Sequence, residues 1–525
     1  MATFQRQYVS KLVPSNKKIL TTIVIAVAVV NSATLGYDSS VMNGLQILPS
    51  YTEYFHLTVA TTGLNNAASW MGAILATPML QFLPDTFGRK NAIVASAIVC
   101  TIVLWSRAGQ MQGRGRSAAQ NIAMFVVARI IVGLGATFSS GAAPALISEL
   151  MPAVTRGRIL GFFFSCFYVG SLSSAIINYG SQNIQSTWSW RLPSLLQLIP
   201  SVMALCLLPF IPESPRWLVA NGQPEHALEV LVVTQGNSDP NSGTAHAIFA
   251  EIQNALTAEK TLFKQNPWIE IVSTVPNRKR LAILCTFGVM INSFGNFVVS
   301  YYLGKILDQA GITKTETQTQ INVILSCWSF AVALVGSWSL DYIGRRKQAL
   351  VCIAGMITCL YIIGGMIKVF GTSTNTSGIY GTIAFIFFFQ GFYAFSITPL
   401  TSVYPSEVSQ YKLRMTGIAI FRLLDSGFGL LASFALSYAM ADLGWKFYMI
   451  NASYNILFFA IIYFLWVETN GLTLEEIALK FEGEVALTAG REIINAVSES
   501  SETDSKRGST IGMESKHAAV NLKET

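Results

Sequence analysis

Charge is what this chain has least of: only 12% of its 525 residues are charged, against roughly a quarter in an average soluble domain. That deficit excludes an ordinary soluble fold. Cysteine offers no covalent framework either. All seven (Cys100, Cys166, Cys206, Cys285, Cys327, Cys352 and Cys359) fall inside apolar stretches, which reads as buried thiols packing like small hydrophobes, with no disulfide and no metal site implied. No nucleophile set, metal-ligand set or phosphate loop appears, so neither an enzyme nor a cofactor is indicated. The net charge of +7 comes without a nucleic-acid motif and is assigned to the bias of membrane loops.

Apolar length is what the chain has in excess. Its residues are 52% hydrophobic, and the runs repeatedly reach the ~20 residues needed to cross a bilayer. Twelve runs lie at approximately 19–40, 64–83, 91–108, 121–149, 159–178, 192–211, 281–303, 321–340, 349–367, 379–403, 415–440 and 447–467. The reading is an all-α integral membrane protein with six spans in 19–211 and six in 281–467. A linker at 212–280 joins them, with a segment at 1–18 before and a tail at 468–525 after. Placing both termini inside the cell puts 25 of the 35 Lys and Arg on the inside and 8 outside, as the positive-inside rule requires. No cleavable signal peptide is evident, since residues 1–18 are polar and the first run is long enough to remain as a span. Within the linker, Glu251 to Phe263 alternates at helical spacing and predicts one or two amphipathic helices. Beyond about 485 the apolar content is too low to fold. Asn375-Thr-Ser377 is a glycosylation acceptor pattern in an expected outside loop.

Three charge-bearing features occur twice. Asp85-Thr-Phe-Gly88-Arg89-Lys90 returns as Asp341-Tyr-Ile-Gly344-Arg345-Arg346, Glu149 with Arg156 returns as Glu407 with Arg414, and Glu213 returns as Glu468, at offsets of 256, 258 and 255 residues. A common spacing implies a duplicated membrane unit, the plan on which many secondary transporters rock two halves around a central site. The repeated charges predict a cytoplasmic latch in which guanidinium forks meet carboxylates at the inner helix ends, holding the halves together when the site faces outward and breaking to let them open inward. The plainer alternative is that the Gly-Arg-Arg turns merely satisfy the positive-inside rule.

Four charges fall inside spans, where each costs at least ~2.5 kcal/mol and so marks a pathway or a partner. Asp38 and Arg129 both lie about eight residues below the expected outer ends of their helices, roughly 12 Å deep, and can meet at one level. A static ion pair is the alternative to a working one. Arg422 and Asp425, spaced i, i+3, share a helical face near the midplane. They either neutralise each other or leave Arg422 to contact an acidic substrate.

These motifs carry a resemblance. Gly36-Tyr37-Asp38, Asp85 to Lys90, Arg129, Glu149-x-x-Pro-x-x-x-Arg156-Gly157, Pro212-Glu-Ser-Pro-Arg216-Trp-Leu218, Asp341 to Arg346, Tyr404-Pro-Ser-Glu407 with Arg414, and Val467 to Glu476 make the chain resemble the sugar porter branch of the major facilitator superfamily over residues 19 to 483. Trp188 to Gln197 and Gly295 to Tyr302 are similar to the fungal lactose and cellodextrin permease subgroup. The resemblance implies twelve helices in two pseudo-symmetric six-helix bundles. It gives Asp38 the role of taking up and releasing a proton under the control of Arg129. It also extends the cytoplasmic gate to Glu213, Arg216 and Glu468.

Sugar sites of the family use amides and aromatics, and Asn292, Asn296, Tyr301 and Tyr302 supply both. Two positions that carry Gln in many hexose carriers are Phe164 and Ser171 here, and a common Trp position is Ser402, which counts against a simple hexose. The resulting expectation is a monomeric, proton-coupled sugar symporter of the plasma membrane. Carriage of an organic acid or secondary metabolite on the same scaffold, and a non-transporting nutrient sensor, are the competing readings.

Overall fold

A chain with no water around its backbone must satisfy its peptide groups within each segment, so apolar runs of this length become helices. The computed structural model describes residues 7–109, 122–152, 159, 162–236, 238–262, 267–371, 375–409, 413–472, 477, 480 and 481. Its twelve spans are, in order, Lys17–Ile47, Val59–Phe87, Arg89–Gly109, Ile122–Leu150, Phe162–Ser181, Trp188–Phe210, Val275–Gln309, Thr315–Ile343, Arg345–Phe370, Thr376–Val408, Arg414–Asp442 and Trp445–Leu465. Local signals set their ends. Asn16 caps the first span by accepting the Lys18 N–H at 3.0 Å. Thr58 and Thr61 form a capping box at the second, and Thr274 followed by Pro276 opens the seventh.

Among the described residues four spans are interrupted, the fifth at Cys166. The sixth divides at Gln197. The seventh divides at Gly295 and is again non-helical at Tyr302. The tenth passes through a π-helical turn at Tyr393–Ile397 just before Pro399. Such breaks free backbone groups and redirect side chains, and in transporters they gather at the binding site.

Large apolar side chains also cover the outside of the spans, with Phe464 at 83% exposure, as a lipid-facing surface requires. Cys206 and Cys327 lie on this surface, correcting the expectation that every cysteine is buried in protein. An apolar run places a thiol in an apolar medium, and here that medium is lipid.

The first and fifth spans cross at Gly36 and Gly170. A methyl group at either would run into the facing carbonyl, Phe167 or Ala33, so these spans meet backbone to backbone. Asp38 is fixed two residues beyond that crossing.

The linker holds four helices, Pro215–Ala220, Pro224–Thr234, Gly243–Leu262 and Pro267–Ser273, more than the one or two that its pattern predicts; Phe263 lies outside the described residues, as does the tail beyond 485. Residues 7–15 dock on the second of these helices. The nearly buried Glu229 carboxylate accepts the backbone N–H groups of Gln7, Tyr8 and Val9 at 3.3, 2.9 and 3.1 Å, and the Tyr8 hydroxyl donates to Glu225 at 2.7 Å.

Candidate functional site

The two charges expected to meet do so through an intermediary. Arg129 Nη1 lies 3.9 Å from Asp38 Oδ1, while Arg129 Nη2 donates to Ser69 Oγ at 2.7 Å and that hydroxyl donates to Asp38 Oδ2 at 3.4 Å. Gln197, at the break in the sixth span, donates its amide to Asp38 Oδ1 at 2.6 Å. Both charged side chains are buried. Tyr301, from the seventh span, stands in the field of Asp38 and Arg129, and its ring stacks on Phe297 at 4.4 Å. A helix of the second half thus comes close to the charge pair of the first.

A second polar cluster lies where spans five, seven, ten and eleven converge. Arg422 Nη1 donates to Asp425 Oδ2 at 3.3 Å. Asp425 is also held by Asn292, whose amide donates to Oδ1 at 2.9 Å and to the Asp425 carbonyl at 2.7 Å. The Arg422 guanidinium sits over two rings, Phe421 at 5.6 Å and Phe164 at 5.7 Å. Phe164 belongs to the other half, so this cation–π contact crosses the interface between bundles. Next to it the Tyr393 hydroxyl donates to the Ile291 carbonyl at 3.4 Å, Asn296 accepts from Ser300 at 3.4 Å, and Tyr168 meets Thr398 at 3.1 Å. Ser171 accepts from Ser40 at 2.7 Å.

The residues expected as one substrate surface on span seven therefore divide. Asn292 and Asn296 join the Arg422 cluster, and Tyr301 joins the Asp38 cluster. Tyr302 instead uses its hydroxyl on Ser433 and Ser437 of span eleven, at 3.0 and 2.6 Å. Adjacent helical positions lie about 100° apart around the axis, so Tyr301 and Tyr302 face different partners, and the break at Gly295 separates Asn292 from both. The side chain of Ser402 is outside the described residues.

Away from the linker the two halves are joined. Asn43 accepts the Leu303 N–H at 3.2 Å, beside the turn at Tyr302, and donates to Asn322 at 3.2 Å. Thr319 donates to Gln182 at 2.8 Å. This far end of the molecule is closed by bonds between bundles.

The linker end is arranged differently. Arg345 makes a two-pronged pair with Glu407, at 2.9 and 3.2 Å, and also reaches Asp341 at 3.1 Å and Asn470 at 2.7 Å. Arg89 meets Glu149 at 3.5 Å, and Arg216 lies in the field of that same carboxylate. Each of these pairs closes inside one bundle in this arrangement, with the far end shut. The reason is the turn before each Arg: Gly88 and Gly344 adopt φ of 99° and 94°, directing the third and ninth spans back beside the fourth and tenth of their own bundle. Glu213 and Glu468 have a further role. They accept the first backbone N–H groups of those helices, Lys90 at 3.0 Å and Arg345 and Arg346 at 2.8 and 3.1 Å, where a carboxylate complements the helix dipole. Arg156 and the side chains of Asp85 and Arg414 lie outside the described residues. Asn375 is exposed and caps its own helix through Ser377 N–H at 3.1 Å.

Sequence reasoning missed Ser69, Tyr393 and Asn43. Asn65 and Asn66 were legible as amides inside the run 64–83, a costly placement that signals a partner, whereas Asn43 lies just past the end of the run 19–40. Ser69 and Tyr393 carry no such signal, because a hydroxyl can bond its own helix.

Comparison with known proteins follows the geometry. A family model described as Sugar (and other) transporter matches residues 24–481. Over 483 residues the chain is 27% identical to a quinate permease of Neurospora terricola, covering 87% of this chain and 88% of that one. Over 477 residues it is 26% identical to a high-affinity glucose transporter of Kluyveromyces lactis, covering 86% and 83%. Among solved structures, the proton:xylose symporter XylE of E. coli, bound to 6-bromo-6-deoxy-D-glucose, superposes with a TM-score of 0.72 at 22% identity, covering 89% of this chain and 100% of that one. That likeness shows a common fold, the twelve-helix major facilitator architecture.

Proposed function

The chain belongs to the Sugar (and other) transporter family, and from that premise we propose that it is a proton-coupled symporter of a sugar or sugar-like polyol, working by alternating access. The observation that carries the proton is the buried Asp38, facing Arg129 at 3.9 Å with Ser69 between them. A carboxylate that can be held by a guanidinium or released from it alternates between ionised and neutral forms as its surroundings change. Tyr301 connects that switch to the helix bearing Asn292 and Asn296. Solute occupancy on span seven is thereby coupled to the state of Asp38.

Membership fixes a multi-pass membrane transporter. The finer assignment is a monomer in the plasma membrane with both termini cytoplasmic, which follows from the Lys and Arg bias. In that orientation the far-end bonds of Asn43 and Thr319 close the outside, and the intrabundle pairs of Arg89 and Arg345 brace the inner ends of each half while the halves move. Uptake by proteoliposomes of the full chain, with an imposed inward proton gradient and a panel of sugars, disaccharides and sugar acids, tests the reading. Accumulation that collapses when the gradient is dissipated supports it, and gradient-independent equilibration of every solute rejects it.

A further inference from the structure

The Arg422 and Asp425 pair is not built like a structural neutralising bridge. Such a bridge in an apolar interior needs good geometry and satisfied donors. Arg422 has five N–H donors, yet a single one reaches Asp425, at 3.3 Å, and among the described residues the guanidinium has no other acceptor. Its side chain is 21% exposed while that of Asp425 is 9% exposed. Asp425 does not depend on Arg422 alone, because the Asn292 amide already donates to it. One member of the pair is thus fixed and enclosed, and the other presents an open edge.

That edge is walled by aromatic rings from both bundles, Phe421 and Phe164. Rings on either side fix the plane of a guanidinium and keep water off it, which strengthens charge-assisted bonds made along its edge. Neutral hydrogen-bonding groups belong to the same cluster: Tyr393 stands in the field of Asp425, Asn292 donates to Asp425, and Tyr168 bonds with Thr398. The arrangement offers one cationic fork beside a set of hydroxyls and amides, at the boundary between the moving halves.

We infer that Arg422 is the specificity-determining residue of this site, reading a carboxylate on a polyhydroxylated substrate of the sugar-acid class, while Asp425 and Asn292 hold it in position. The inference rests on the transporter reading above. A monoanion entering with one proton on Asp38 brings no net charge, so the loaded carrier reorients without working against the membrane potential.

D-glucose and D-glucuronate test it, because they differ only in a hydroxymethyl or a carboxylate at one carbon. With the full chain in proteoliposomes under a proton gradient, glucuronate is taken up in preference to glucose. In the double variant Arg422→Leu with Asp425→Leu, which leaves neither charge unpaired, the glucuronate-to-glucose uptake ratio falls about 10- to 100-fold, the range for loss of one charge-assisted bond. Should that variant not insert, Arg422→Gln with Asp425→Asn keeps the shapes and gives the same fall. An unchanged ratio in the inserted variant, or wild-type uptake of glucose without glucuronate, overturns the inference and leaves the transporter reading standing. Uptake of neither probe overturns the sugar-like substrate class, and the inference with it.

Discussion

Asp38 and Arg129 face each other at 3.9 Å with the Ser69 hydroxyl set between them, accepting from the guanidinium at 2.7 Å and donating to the carboxylate at 3.4 Å. Direct bidentate contact would lock the pair, whereas a hydroxyl that can both accept and donate lets the two charges part without leaving either wholly unbonded. Gln197 adds a donor at 2.6 Å on the other carboxylate oxygen. Both Asp38 oxygens therefore accept a hydrogen bond while the ion pair itself is loose, and Arg129 Nε is buried without a partner among the described residues.

Asp38→Asn removes the proton carrier and keeps the shape of the side chain. Substrate accumulation driven by a proton gradient is expected to disappear, while counterflow exchange of labelled for unlabelled substrate continues. Both are read in the same proteoliposomes. Accumulation undiminished in the variant contradicts the assignment of the proton to this residue.

The two linker-end pairs differ in quality, and so should their removal. Arg345 has a two-pronged pair with Glu407 plus Asp341 and Asn470, at 10% side-chain exposure. Arg345→Ala is expected to destabilise the folded protein by ~3 kcal/mol, as for breaking a largely enclosed pair. Arg89 lies farther from Glu149, at 3.5 Å, with Nη1 on the Pro84 carbonyl at 3.3 Å, and Arg89→Ala is expected to cost less, ~2 kcal/mol. Thermal unfolding in detergent ranks the two, and equal shifts would contradict the asymmetry.

Asn43 closes the far end through one accepted and one donated bond. At about 1 kcal/mol for each bond, Asn43→Ala is expected to raise the population open at that end roughly 30-fold. Ile47, buried against Gly304, is a suitable reporter: as Ile47→Cys, with Cys206 and Cys327 replaced by Ser, it should react faster with an impermeant thiol reagent in the Asn43→Ala background. An unaltered labelling rate would remove Asn43 from the gate.

Glu229 anchors residues 7–9 by three backbone bonds. Glu229→Ala leaves those N–H groups without their acceptor and is expected to free the segment, so that trypsin cuts after Lys11 about tenfold faster, as loss of roughly 1.4 kcal/mol of local stability would give. Cleavage is followed by mass spectrometry of the N-terminal peptide. No change in rate would show that Val9 and Val13, both buried, hold the segment without the carboxylate.

The sequence by itself determined the elements and the duplication. Apolar runs long enough to span, capping residues at Asn16, Thr58 and Thr274, and a charge set repeated at one offset are all local or periodic signals, so they survive without any knowledge of packing. It also named Asp38, Arg129, Arg422 and Asp425, because an ionised group in an apolar run is conspicuous wherever the helix finally lies. Partners were another matter. That Arg89 and Arg345 turn inward on their own bundles, that Ser69 and Gln197 stand against Asp38, and that Tyr301 and Tyr302 serve different clusters were decided by the tertiary structure. Each depends on which helices cross and at what rotation. Crossings such as Gly36 on Phe167 are set by two surfaces at once, and a break such as the one at Gly295 changes rotation by an amount that the residues of one helix do not encode.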